Sequence, residues 1–93
     1  MVVGVLRVSL RLEGCRSLKD KRQIIRPLIE KMRRDLGASV AEVGDTELWG
    51  NAEIGFSVVS GNAVQVEQLL QKIIERTEAA AHVQSVEQEL IRL

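Results

Sequence analysis

The sequence predicts an α+β two-layer sandwich: two helices covering one face of a four-stranded antiparallel sheet. Three observations predict it. Two segments, beginning at Ser17 and at Asn62, repeat apolar residues at spacings of three and four, the helical period. Two others, residues 2–12 and 52–60, alternate apolar and polar residues as strands do. Glycines or capping residues stand at most of the joints between them.

Residues 2–12 form the first strand, with Leu6, Val8, Leu10 and Leu12 on one face and Arg7, Ser9 and Arg11 on the other. Glu13 to Arg16 is a tight connection pivoting on Gly14. In residues 17–36, SLKDKRQIIRPLIEKMRRDL, the apolar stripe is Leu18, Ile25, Leu28, Ile29, Met32 and Leu36. Ser17 is an N-cap, Asp20 completes a capping-box pattern, and Gly37 suits a left-handed C-terminal cap. Pro27 interrupts this helix and costs about 3 kcal/mol in a helix interior. The stripe keeps its phase across the proline, which favours one kinked helix over two short ones.

Residues 39–43 read as a short second strand. Residues 44–51, GDTELWGN, are a loop in which Asp45 or Thr46 is expected to cap a single helical turn carrying Leu48 and Trp49. The third strand, 52–60, turns Ala52, Ile54, Phe56 and Val58 one way. Asn62 caps a second helix with Gln65 at its capping-box position, an apolar face of Val66, Leu69, Leu70, Ile73 and Ile74, and fraying expected from Thr77. The tail, HVQSVEQELIRL, has helical spacing at Val83, Val86, Leu90 and Leu93, but a strand there would cover a bare sheet edge. The strand reading gives β-α-β-β-α-β, the ferredoxin-like pattern, with strands one and three central and two and four at the edges. The open sheet face then shows Arg7, Arg11, Glu53 and Ser57. The 93 residues, without repeats or linkers, make one domain, 1–93.

Net charge is zero but divided. Residues 1–34 hold ten Lys/Arg against three Asp/Glu, leaving +7, and residues 35–93 hold three against ten, leaving −7. The positive pole can attract polyanions, and the dipole can equally favour self-association. No apolar run approaches the ~20 residues of a membrane span. The first residues read as a strand rather than a signal peptide. A lone Cys15 rules out an internal disulfide and suits a reducing cytoplasm, the expected location.

The search for chemistry returns mostly exclusions. His82 and Cys15 are each single of their kind and lie on different elements, with no third group to complete a nucleophilic triad. No metal-ligand spacing, glycine-rich nucleotide loop or GxxG loop occurs, so neither cofactor nor metal is expected. Base stacking on the open sheet needs aromatics on central strands, and Phe56 falls on the core face. What remains is the turn 14–22, where helix N–H groups stand near basic side chains, with Asp20 opposing. Arg7, Arg11, Arg16, Lys19, Lys21, Arg22 and Arg26 are the candidate phosphate contacts, and Lys19, Arg22, Arg26 and Arg33 share one helical flank. One patch is expected, centred on the helix's N-terminal half. Trp49 either folds over the sheet edge to seal the core, the favoured reading, or stays exposed as a stacking or protein-contact residue.

The segments VVGVLRVSLRLEGCRSLKDKR and SVAEVGDTELWGNAEIGFSVVS resemble the YlxP-like family, small bacterial proteins of unknown function. The resemblance covers nearly the whole chain and implies a ferredoxin-like fold with a terminal fourth strand, but no activity. Genes of this family often lie among those for translation initiation and ribosome maturation, which implies RNA or the ribosome as partner. Pro27 stands where the family helix usually reads straight through. The leading expectation is therefore a non-enzymatic, RNA- or ribosome-associated protein. A homo-oligomeric or protein-interaction module is the second. An acylphosphatase-like hydrolase is the third: it shares the fold, and the glycine-pivoted loop after the first strand sets Arg16 nearby, with Asn51 a loose candidate for positioning water.

Overall fold

The computed structural model describes residues 1–93. Its elements are β1 (Val2–Arg11), α1 (Leu18–Leu36), β2 (Ser39–Gly44), β3 (Asn51–Ser60), α2 (Ala63–Ala80) and β4 (His82–Arg92). The sheet order is β2-β3-β1-β4, antiparallel throughout, so the two central strands are the two with the cleanest alternation. β1 lies in unbroken register with β3, from Val2 opposite Ser60 to Arg11 opposite Asn51. The tail is a strand, paired along β1 with a register shift at Ser9/Leu10. The ferredoxin-like arrangement expected from the sequence is the one found.

The core lies between the helices and the even-numbered faces of β1 and β3. Leu6, Val8, Leu10, Ile54, Phe56, Val66, Leu70 and Ile73 are buried at its centre. Burying one such side chain contributes about 1.5–3 kcal/mol, which is why the alternating stripes fix which sheet face turns inward.

α1 is one helix that runs through Pro27, as the unbroken phase of its stripe predicts. Ser17 Oγ accepts from the Asp20 N–H at 3.1 Å, and Gly37 closes the far end in the left-handed conformation at φ 63°. Asp20 departs from the capping box: its carboxylate accepts from the Arg16 N–H at 3.0 Å, one residue before the cap. At α2, Asn62 Oδ1 accepts from the Val64 and Gln65 N–H groups, while the Gln65 side chain accepts from Ser60 Oγ rather than returning to the cap.

Two expectations need correction. α2 does not fray at Thr77. That residue is buried, its hydroxyl donates to the Ile73 carbonyl at 2.7 Å, and the helix continues to Ala80. Nor does the 45–48 segment form a helical turn. Asp45 adopts φ 56° and the Leu48 N–H returns to the Asp45 carbonyl at 3.0 Å, closing a tight turn instead.

Candidate nucleic-acid interface

One end of the sheet collects most of the sequence's candidates. β1 ends there at Arg11, β3 begins there at Asn51, and β4 begins there at His82, the three standing in register. The β1–α1 connection and the 45–50 loop join elements at this same end. Buried Leu12 and Cys15 pin the connection to the core. Gly14, at φ 82°, makes the turn between them. Arg16 and Lys19 therefore stand exposed around the first turn of α1.

Arg22 and Arg26 continue the exposed flank, three and seven residues after Lys19. None of Arg16, Lys19, Arg22 and Arg26 has a carboxylate partner: the ion pairs of the molecule are Lys21–Glu42, Arg33–Glu30, Arg34–Asp35 and Arg76–Asp35. These four side chains are charged, solvated and unengaged.

Lys21 must leave the expected set. It is 2% exposed, with Nζ 2.7 Å from Glu42 Oε2 and donating to the carbonyls of Asp45 (2.7 Å) and Leu48 (2.6 Å). Its ammonium is the one partner of the buried Glu42 Oε2. The physical reason is phase. Lys21 falls three after Leu18 and four before Ile25, inside the apolar stripe, so it points at the sheet and needs a buried counter-charge. That spacing was the available signal. What no spacing could show is Glu42 waiting on the core side of β2, opposite Ile54.

Arg33 also leaves the flank it shares by spacing. Its guanidinium donates to the Val40 carbonyl at 2.7 Å and to Glu30 at 3.2 Å, tying α1 to β2. Arg34 and Arg76 converge on Asp35. The Arg34 hydrogen bond, with the charges of Arg34 and Arg76, holds the Asp35 carboxyl below its ordinary range against a smaller opposing effect of desolvation.

Arg7 and Arg11 are exposed on the sheet face turned away from the helices. Arg7 lies in mid-face, with Gly55 and Glu87 as its register neighbours. Arg11 lies at the rim, beside the 45–50 loop. The basic surface thus centres on the first half of α1 and reaches the open face only at that rim.

Trp49 does not seal the core; it is 48% exposed. Its loop is held from both sides, by Lys21 on the Leu48 carbonyl and by the Leu12 N–H on the Gly50 carbonyl at 2.9 Å. Leu48 and Val43 nearby are likewise about half exposed. Between this loop and α1 runs a groove of about 290 Å³, lined by Leu18, Lys21, Arg22, Ile25, Arg26, Ile29, Glu42 and Thr46. A larger groove of about 600 Å³ lies between the helices around Pro27, Lys31, Arg76 and Ala79. No three His, Cys, Asp or Glu side chains are grouped to hold a metal ion, and no helix is long and apolar enough to cross a membrane.

Comparison with known proteins agrees with this architecture. The chain is similar to a de novo designed protein with a ferredoxin fold, at TM-score 0.63 and 12% identity over 100% of this chain and 87% of that one. It is also similar to a putative antibiotic biosynthesis monooxygenase from Chloroflexus aurantiacus, at TM-score 0.56 and 11% identity over 100% and 95%. At such identities the likeness is one of fold. In sequence it is 29% identical over 73 residues to the uncharacterized protein YlxP of Bacillus subtilis, covering 78% of this chain and 79% of that one. With the model of the protein family of unknown function DUF503 matching residues 3–90, the chain belongs to that family.

Proposed function

We propose that the protein is a cytoplasmic RNA- or ribosome-associated protein that binds the phosphate backbone through the first half of α1 and the loop before it, without a catalytic step. One observation carries the reading: Lys19, Arg22 and Arg26 along one flank of α1, with Arg16 just before the helix, are exposed and unpaired within the chain. Cations that stabilise the fold are paired; cations left free beside one another are suited to a polyanion. Contacts of this kind hold phosphates without reading sequence. Four of them imply a salt slope of about −3 on single-stranded RNA, or roughly a 50-fold loss of affinity between 50 and 200 mM salt.

Titration of labelled ribosomal RNA and of small ribosomal subunits at two salt concentrations tests this. Binding at low salt that weakens steeply with added salt, and is largely lost on replacing Lys19, Arg22 and Arg26 with alanine, is the expected result. Absence of binding at low salt removes the proposal.

A second reading, self-association, is favoured by the open sheet face. There Val3, Val5, Val59 and Ile91 lie near Arg7, Glu87 and Glu89, none of them in an ion pair within the chain. A second copy could satisfy both signs at once. Light scattering at two ionic strengths decides, since a monomer under both conditions excludes it.

A further inference from the structure

We infer that Trp49 is a stacking platform for an unpaired RNA base, and that the adjacent groove sets the neighbouring phosphates on Arg22 and Arg26. This rests on the RNA reading above and narrows it to single strands.

The chain has one tryptophan and one phenylalanine. The phenylalanine is in the core; the tryptophan is half in water. A large aromatic left so exposed forgoes burial that tryptophan normally obtains. Here the backbone on either side of it is also held in place. The residue before it is tied to a buried ammonium and the residue after it to the end of β1. A surface already ordered loses little further freedom on binding, so a ring mounted this way is preorganised.

What surrounds the ring selects the ligand. Thr46 of the Trp49 loop and Arg22 and Arg26 of α1 line one groove, together with apolar Leu18, Ile25 and Ile29 and the Lys21–Glu42 pair. The loop that carries the exposed ring thus borders, through Thr46, a groove holding two unpaired guanidinium groups; single-strand binders combine such parts, bases stacking on an aromatic while the backbone follows the charge. A duplex keeps its bases stacked inside and offers no free face to the ring. The loop's own carboxylates, Asp45 and Glu47, are exposed and unpaired. They repel phosphate from the loop side, which leaves the phosphates to α1 and the base to Trp49. At the groove floor, Lys21 and Glu42 neutralise each other and neither attract nor repel the strand.

The test uses the full chain, with a labelled twelve-nucleotide oligouridylate and a labelled RNA duplex of equal length, both at low salt. Label anisotropy gives affinity, and intrinsic emission reports Trp49 alone because it is the sole tryptophan. The single strand is expected to quench that emission to saturation at the affinity anisotropy measures. Trp49→Ala should weaken single-strand binding about tenfold while leaving duplex binding unchanged. Trp49→Phe should restore most of the loss. Circular dichroism of each variant confirms the fold. Unchanged emission at saturation, or single-strand binding by Trp49→Ala equal to the parent, overturns the platform while leaving the RNA reading intact; Trp49 is then free for a protein partner. If the parent binds neither RNA at low salt, or if replacing both Arg22 and Arg26 with alanine changes nothing, the RNA reading fails and the platform with it.

Discussion

Pro27 divides α1 into two halves that are both rich in cations and use them in opposite ways. Before it, Lys19, Arg22 and Arg26 stand free in solvent. After it, Lys31 alone stays free, while Arg33 is bound to a β2 carbonyl and Arg34 to Asp35, which also receives Arg76 from α2. The second half fastens the helix to β2 and α2. The first half, beyond the apolar packing of Ile25, makes one polar tie to the rest of the fold, Lys21 on the inward face. Charge in the sequence is therefore no measure of charge available to a ligand. Availability is decided by helical phase and by which carboxylates and carbonyls the neighbouring elements bring within reach.

The sharpest way to break this contrast is at Lys21. Lys21→Met leaves the Glu42 carboxylate and two carbonyls without their donor, and removing one partner of a buried pair typically costs about 3–5 kcal/mol. Urea denaturation should show a loss of that size, and the double variant Lys21→Met with Glu42→Leu should recover a large part of it. A Lys21→Met chain as stable as the parent would mean that the ammonium holds nothing.

A smaller effect separates the two halves directly. Arg33→Ala should cost about 1 kcal/mol, the net worth of a hydrogen bond, and leave RNA affinity unchanged. Arg22→Ala should do the reverse, with a stability change under about 0.5 kcal/mol and weaker binding. Denaturation and anisotropy on the same two variants supply the comparison. If both lose affinity equally, the division at Pro27 has no functional meaning.

The smallest effect is in acid. Because the folded Asp35 carboxyl titrates below its ordinary value of 3.8, its contribution to stability is complete above that pH and is lost as pH falls through the lower, folded value. Asp35→Asn should flatten the acid end of the stability profile slightly. Arg34→Ala should move the Asp35 titration, followed by carboxyl NMR shifts, back toward 3.8.

Much of this was legible in the residues. Alternation in β1 and β3, the caps at Ser17, Asn62 and Gly37, and the two helical stripes were enough for element order and core. The tail was the open point, because a strand at an edge carries little burial to impose alternation. Val86 and Gln88 on its inward side are exposed. The candidate interface was legible only in part. Sequence placed the free arginines on one flank, but not the pairings that remove Lys21 and Arg33, since those depend on Glu42 and the Val40 carbonyl across the layer. Trp49 was misread for a related reason. A tight turn at Asp45, in the left-handed conformation, and the Lys21 clamp on the Leu48 carbonyl position it; the clamp joins residues 27 apart and is invisible to local spacing.

The placement of β4 has a kinetic consequence. β1 is the hub of the sheet, yet its second neighbour is the element farthest from it along the chain, with Val2 opposite Arg92. β1 can join β3 by closing a loop of about half the chain, whereas joining β4 closes nearly all of it. Each doubling of loop length adds only about 0.6 kcal/mol of closure entropy. Pairings this distant in sequence nonetheless slow folding far more than they weaken the product. Until β4 arrives, one side of β1 is an unpaired edge able to accept a strand from any chain. The interval before that last pairing is when two nascent molecules are most able to exchange their final strands.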